Sequence, residues 1–425
     1  MAGGRSPIKE NCLLTRGTKM RKKICAVTAL SILFAGSAFA SGWRIPEQSV
    51  DSTAKAGANI ASAARADAAY FNPAKMSWMD DKWQVQADLT YIHLASIDYD
   101  DARVPLYNSA SEEEHFLLPT GFLVSPDFSG LRFGMAFVAP NGLAKRWKSP
   151  YARAVAEEFS LKVFEMNPTV SYSFAEMVSV AGGARLLYAD ATLKNDAAGL
   201  GIPLGTDLNG QTFEWGWNLA LDVQPVEGMD IAVTYRSTVD LDFEDEGDLN
   251  LMGRRLSNWD VNVSVPLPAI FSVSFAYDVL DNLNVELTWD RTYWSEYEAL
   301  DINYEPQIPG NPFERPIVRN WNDTNAYRIG LTYQATSQLD LLLGFSFDEN
   351  PIPDEKVDFS VPDSDAWIYS IGMQYDINEQ MEIGAALLYD YKEDRAVKAD
   401  PRDRVYGDFS GASALLFTLG LNYKF

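Results

Sequence analysis

The chain has 425 residues, 35 of them basic and 59 acidic, with a formal net charge of −24 and an aromatic content of 12%. Such an acidic surface repels phosphate backbones, which excludes nucleic acid as a partner. The two cysteines, Cys12 and Cys25, both lie near the N-terminus, so the rest of the chain has no disulfide, thiolate metal site or cysteine nucleophile.

Met20-Arg21-Lys22-Lys23 is a basic stretch, Ile24 to Phe34 is a short apolar one, and Ala38-Phe39-Ala40 has the A-x-A form of a cleavage site. The apolar stretch is shorter than the roughly 20 residues a spanning helix needs. Residues 1–40 are therefore expected to be a leader cleaved after Ala40, with a membrane anchor as the alternative. The leader holds seven basic residues and one acid, so the remainder carries 28 basic and 58 acidic residues, net −30.

The segment 41–82 is rich in small residues, including Ala54, Ala56, Gly57, Ala58, Ala61, Ala63, Ala64, Ala66, Ala68 and Ala69. It lacks a lipid-facing alternation. Asn72-Pro73-Ala74 closes its Ala-rich part, because proline forbids further helix and Asn72 is suited to bond nearby backbone. Short helices of small residues suit a polar lumen, so 41–82 is expected to be a hatch; a flexible periplasmic extension is the alternative. The Asn72–Ala74 bend is expected to reach the wall gap described below.

From residue 83 onward, apolar and polar residues alternate with a period of two. At the C-terminus, Leu415, Phe417, Leu419, Leu421, Tyr423 and Phe425 oppose Leu416, Thr418, Gly420, Asn422 and Lys424. Trp215, Trp217, Leu219 and Leu221 alternate likewise, as do Tyr327, Ile329, Leu331 and Tyr333, and Trp367, Tyr369, Ile371 and Met373. One apolar face, aromatics at strand ends and a polar opposite face describe a transmembrane barrel, not a packed soluble core.

Strands are expected near 83–99, 114–125, 131–147, 159–174, 178–194, 213–224, 229–244, 257–279, 282–302, 325–336, 339–349, 366–377, 380–393 and 413–425. Pro266 and Pro268 interrupt 257–279, which reads as two strands or as one kinked strand. The even strand number of single-chain bacterial barrels favours one, giving 14 antiparallel strands over 83–425. Tight links such as Ala175-Glu176-Met177 alternate with long polar loops. A barrel this wide leaks unless its lumen is filled. The acidic run Asp242–Asp248 reads as a solvated loop, with calcium bridging to lipopolysaccharide as the alternative. The terminal Phe425 is expected to serve as the signal read by the barrel-assembly machinery.

Catalytic signals are sparse. Any Ser–His hydrolase would have to use His93 or His115, and no G-x-S-x-G, H-E-x-x-H or phosphate-loop sequence occurs. No catalytic residue, metal ligand or cofactor is assigned. A barrel hydrolase and a non-selective porin or structural barrel remain the rival readings.

An ordered set of motifs resembles the FadL family of outer-membrane transporters for long-chain fatty acids and hydrocarbons. The set runs through Pro46-Glu47-Gln48-Ser49, Phe71-Asn72-Pro73-Ala74-Lys75-Met76, Asn141-Gly142-Leu143-Ala144, Trp215-Gly216-Trp217-Asn218, Ala326-Tyr327-Arg328-Ile329-Gly330 and Asn350-Pro351-Ile352-Pro353. The resemblance implies a 14-stranded barrel with an N-terminal hatch and passive uptake of a hydrophobic ligand. It also implies a lumen pocket and sideways exit through a gap at a kinked third strand, where Pro140, Asn141 and Gly142 fall; an ordinary strand-to-loop transition is the alternative. Lateral exit spares the ligand tail a transfer through water, about 0.8 kcal/mol per CH₂. Fatty-acid members hold the carboxylate with basic residues, but Asp190 and Asn322 fall at two of those positions. Arg185, Lys194, Arg236 and Arg328 are the substitutes, and an uncharged hydrocarbon becomes a candidate ligand. The expected partners are that ligand, outer-membrane lipid and lipopolysaccharide around a monomer.

Overall fold

The computed structural model describes residues 42–425 except Glu176, Gly253, Pro309, Gly310 and Ala399. The expected leader and its cleavage point lie outside the described residues. Fourteen strands form one closed antiparallel barrel. They are β1 (Gln84–Leu94), β2 (Glu114–Val124), β3 (Leu131–Arg146), β4 (Glu158–Ala175), β5 (Val178–Asp196), β6 (Leu204–Val223) and β7 (Met229–Arg236). Then follow β8 (Ile270–Leu280), β9 (Leu283–Thr292), β10 (Thr324–Thr336), β11 (Leu339–Asp348), β12 (Ala366–Asp376), β13 (Met381–Lys392) and β14 (Ser413–Lys424). Each pairs with its sequence neighbour, and β1 closes on β14 from Gln84↔Lys424 to Leu94↔Ala414. Phe425 extends this seam, exchanging backbone hydrogen bonds with Trp83 at 3.0 and 3.1 Å.

The alternation sorts the two faces. On β14, Leu416 and Thr418 are buried, while Leu415, Phe417, Leu419 and Leu421 face outward. The outward set forms the lipid-facing band of a membrane barrel. Inward residues change character along the strand. On β1, Gln84, Gln86, Asp88 and Thr90 line the half nearer the short turns, and Ile92 and Leu94 line the half nearer the long loops.

Three expected strands need correction, and the first is 282–302, whose barrel strand β9 ends at Thr292 before the chain turns out of the wall at Trp294–Glu296. The reading 229–244 merges β7 with the first arm of a separate hairpin, Val239–Leu251, and 257–279 merges the second arm, Arg254–Leu267, with β8. That hairpin leaves the barrel, and its arms pair with the upper end of β6 and with Ile302–Glu305. Apolar alternation continues across both corners, so periodicity alone does not register the change of direction. Each merged stretch holds one barrel strand, which is why the count of 14 stands. The acidic run Asp242–Asp248 is likewise part of the first hairpin arm, not a loop.

Residues 42–79 fill the lumen with two short helices, α1 (Val50–Ala54) and α2 (Ala68–Phe71), and a 3₁₀ turn, Pro73–Trp78. Ser49 caps α1 in a capping box with Ser52. Small residues let the hatch touch the wall backbone. A Cβ on Gly344 would lie 2.3 Å from the Lys55 carbonyl carbon, and one on Gly372 would lie 2.4 Å from Ala54 Cβ.

Polar anchors, one buried and one partly buried, hold it there. The Glu286 carboxylate accepts from the backbone N–H groups of Ile60, Ala61 and Ser62 at 2.7, 2.8 and 3.2 Å. Arg65 clasps Glu382 at 2.6 and 2.8 Å. Glu286 is buried with Lys55 beside it, and removing one partner from such a buried charged set costs about 3–5 kcal/mol; the Arg65–Glu382 pair is only partly buried. These anchors make the hatch part of the barrel.

Candidate functional site

The wall is interrupted between β2 and β3. Only four residue pairs join them, from Gly121↔Phe137 to Val124↔Gly134, so Glu114–Thr120 have no partner in β3. The cause is local. A bulge between Val138 and Asn141 inserts one extra residue relative to β4, and Pro140 has no N–H to give to a ladder. Higher up the strands meet again, through a Ser111↔Trp147 bridge and a hydrogen bond from Glu112 N to Arg146 O at 2.9 Å. A window is left between these two points.

The start of the hatch closes this window. Arg44 bridges to Asn141, Ile45 N donates to Pro140 O at 2.8 Å, and Gly142 N donates to Trp43 O at 2.9 Å. Trp43 is held by an aromatic cluster with Trp294, Tyr297 and Trp321, at ring separations of 5.0, 5.4 and 5.0 Å. The expected reach of Asn72–Ala74 to this gap is corrected. Asn72 donates to Asp222 at 2.9 Å and to Ile60 O at 3.0 Å, and Ala74 packs on Ala181 and Ala220 of β5 and β6.

The bulge has a second effect. One extra residue reverses the face that each following side chain occupies. Below it Arg132, Gly134 and Ala136 point inward; above it Asn141, Leu143 and Lys145 do, opposite Val163, Leu161 and Phe159 of β4. Lys145 is thereby buried to 2% exposure. Its Nζ makes one long contact, 3.4 Å to Ser111 Oγ, and no ion pair among the described residues.

Around Lys145 lies a small cavity, about 30 Å³, lined by Leu94, Ile97, Leu143, Val361, Pro362 and Ala412. Lys392 also lines it, but is ion-paired with Asp363, which accepts from Gly42 N at 3.0 Å as well. The carboxylate of Glu114 is taken by Arg146 at 2.6 Å. A buried ammonium without an ion-pair partner among the described residues, in a mostly apolar lining, has the chemistry to hold a single anionic group.

The six residues singled out in the sequence fare differently. Arg185 and Arg236 are buried and converge on Glu165, with Arg185 Nη2 3.0 Å away; Arg236 also lies 4.2 Å above the Tyr70 ring. Arg328 is buried between Asp290 at 3.0 Å and Asp348 at 3.3 Å, and donates to Ala56 O. These three are committed to wall and hatch. Asp190 is half-buried on the outer face, 3.9 Å from Lys162 and bonded by Gln211. Lys194 pairs with Glu158 and Asp207, and Asn322 is exposed. The premise that Asp190 and Asn322 occupy the pocket is therefore corrected. Lys145 was missed because strand parity read from below the bulge turns it outward.

A second apolar recess, about 60 Å³, opens above the wall between the tops of β4–β6 and the hairpin; Phe159, Leu193, Leu208, Phe243, Val261 and Val265 line it. His93 and His115 lie on the outer face of β1 and β2, stacked on each other.

A closed membrane barrel with a docked hatch, an apolar cavity holding one unpaired cation and an interrupted wall defines a plugged outer-membrane transport barrel. Residues 31–425 match the family described as outer membrane protein transport protein (OMPP1/FadL/TodX), and the chain belongs to that family. It is similar to the long-chain fatty acid transport protein of Salmonella typhi, 23% identical over 347 residues, covering 72% of this chain and 76% of that one. In fold it is similar to a Pseudomonas aeruginosa FadL homologue, with a TM-score of 0.79, 18% identity, and 91% of this chain and 100% of that one covered. The Ralstonia pickettii toluene transporter TbuX is also similar, with a TM-score of 0.67, 17% identity, and 89% and 98% covered. The protein is an outer-membrane barrel of a transport family.

Proposed function

We propose that the protein passively carries long-chain fatty acids, or hydrophobic molecules with a similar anionic head, from the outer surface into the outer membrane. The observation that carries this reading is the buried Lys145 ammonium, which forms no ion pair among the described residues, in an apolar cavity beside the wall window. The head group takes the place of the missing counter-ion and the tail contacts Leu94, Ile97 and Leu143. The upper recess collects ligand from the outer surface. Exit runs sideways past Pro140, Asn141 and Gly142 once the Trp43–Gln48 segment shifts, and the barrel acts as a monomer. Names of relatives point to fatty acids in one case and toluene in another, so the head-group charge is the property to measure.

The decisive experiment is uptake into cells or proteoliposomes of a fatty acid, its methyl ester and an aromatic hydrocarbon, each against an empty-vector control. Preference for the acid supports the reading. Equal uptake of acid and ester, or preference for the hydrocarbon, assigns the cavity to uncharged ligands instead. No uptake of any of the three overturns both.

A further inference from the structure

We propose that His93, His115 and Glu113 form a binding site for a divalent transition-metal ion, such as zinc, on the outer face of the barrel. These are the only two histidines in the chain, 22 positions apart in sequence, and the β1–β2 register sets them directly opposite each other. Their rings stack at 4.8 Å with Nδ1 atoms 3.4 Å apart, and donor atoms of all three residues lie within 4.8 Å of one another. A tetrahedral zinc ion with Zn–N bonds of about 2.05 Å holds its nitrogen ligands roughly 3.3 Å apart, close to the separation found here. Two imidazoles and a carboxylate also match the ligand chemistry of zinc sites with an open fourth position.

The local wiring is consistent with a loaded and an unloaded form. The Tyr91 hydroxyl lies 2.8 Å from His115 Nδ1. In the loaded form the metal takes that nitrogen's lone pair, and the phenol is released to bond the water in the fourth position. Glu113 lies on the same exposed face as His115, and the neighbouring Glu114 side chain points inward to Arg146, so it does not compete.

Position gives the site a consequence. His115 sits on the part of β2 that has no partner in β3, where β1 is its one ladder neighbour. A metal shared between His93 and His115 clips the free rim of the window to β1 and stiffens it. That consequence rests on the exit route proposed above; the site itself does not.

The test is zinc binding by calorimetry, and cobalt binding by the visible spectrum of a four-coordinate ion. It uses detergent-purified, heat-modifiable barrel without a histidine tag, compared with H93Q, H115Q and E113Q. The expected result is one ion per chain, weakened at least tenfold by H93Q or H115Q and less by E113Q, with a four-coordinate cobalt spectrum that H93Q abolishes. Wild type binding zinc no more tightly than H93Q/H115Q, or a six-coordinate cobalt spectrum unchanged in the variants, would overturn it. Transport is then measured with and without zinc. Binding without any change in uptake keeps the site and removes its link to the window.

Discussion

The Gln48 side chain brackets Ala139 on both sides, accepting from its N–H at 2.9 Å and donating to its C=O at 3.0 Å. A hatch carboxamide thus supplies the pairing that a neighbouring strand gives elsewhere in the wall. Gln48→Ala leaves two buried backbone groups without partners, each costing about 1–3 kcal/mol. The barrel is expected to stay heat-modifiable while amides at Ile45–Gln48 exchange with solvent at least tenfold faster. Unchanged exchange would show that the hatch start is held by other contacts.

Lys145→Met keeps the bulk of the side chain and removes its charge. Uptake of a fatty acid is expected to fall at least tenfold relative to its methyl ester, about 1.4 kcal/mol of lost discrimination. Arg328→Met is expected to behave differently, since Arg328 holds Asp290, Asp348 and Ala56 O. It should loosen the hatch and affect acid and ester alike. A competition assay on both variants separates the two roles, and equal effects of Lys145→Met on acid and ester would remove Lys145 from head-group recognition.

Gly344 lies where the hatch passes close to the wall; a Cβ there would meet the Lys55 and Ala56 backbone at 2.3 and 2.4 Å and the Ser370 Oγ of the next strand at 2.3 Å. A methyl there must push the backbone of the hatch, because the wall strand is pinned by its ladders on both sides. Gly344→Ala is expected to leave the barrel folded but raise ion conductance in planar bilayers above the wild-type level. Conductance indistinguishable from wild type would mean that the hatch absorbs the shift without opening.

Burial raises the Glu47 carboxyl from its ordinary 4.5 to about 7, against the opposing pull of Arg328. A carboxyl that is harder to ionise when buried binds its proton more tightly in the docked hatch than in a released one. Docking is therefore strongest below pH 4.5, weakens as pH rises, and has lost this contribution above about 7. The difference corresponds to about 3 kcal/mol. Protection of hatch amides, corrected for the intrinsic base-catalysed exchange rate at each pH, should be lower at pH 8 than at pH 5, and Glu47→Gln should flatten that protection profile. A wild-type profile as flat as the variant would contradict the assignment.

Period-two alternation with an aromatic-ended apolar face determined the barrel and its membrane setting, because one lipid face and one polar lumen leave that pattern; the count of 14 rested on the even strand number of single-chain barrels. The small residues of 41–82 likewise pointed to the segment that fills the lumen, where larger side chains would meet the wall at positions such as Gly344 and Gly372. What the sequence left open turns on events that alternation does not encode. The corners at 237–238 and 268–269 preserve the pattern while the chain leaves the wall and returns. The bulge at Ala139–Pro140 reverses the pattern within a single strand, sending Lys145 into the cavity. Which basic residues are free was likewise decided by tertiary contact, since Glu165 can neutralise Arg185 and Arg236 only after β4, β5 and β7 come together in the closed wall.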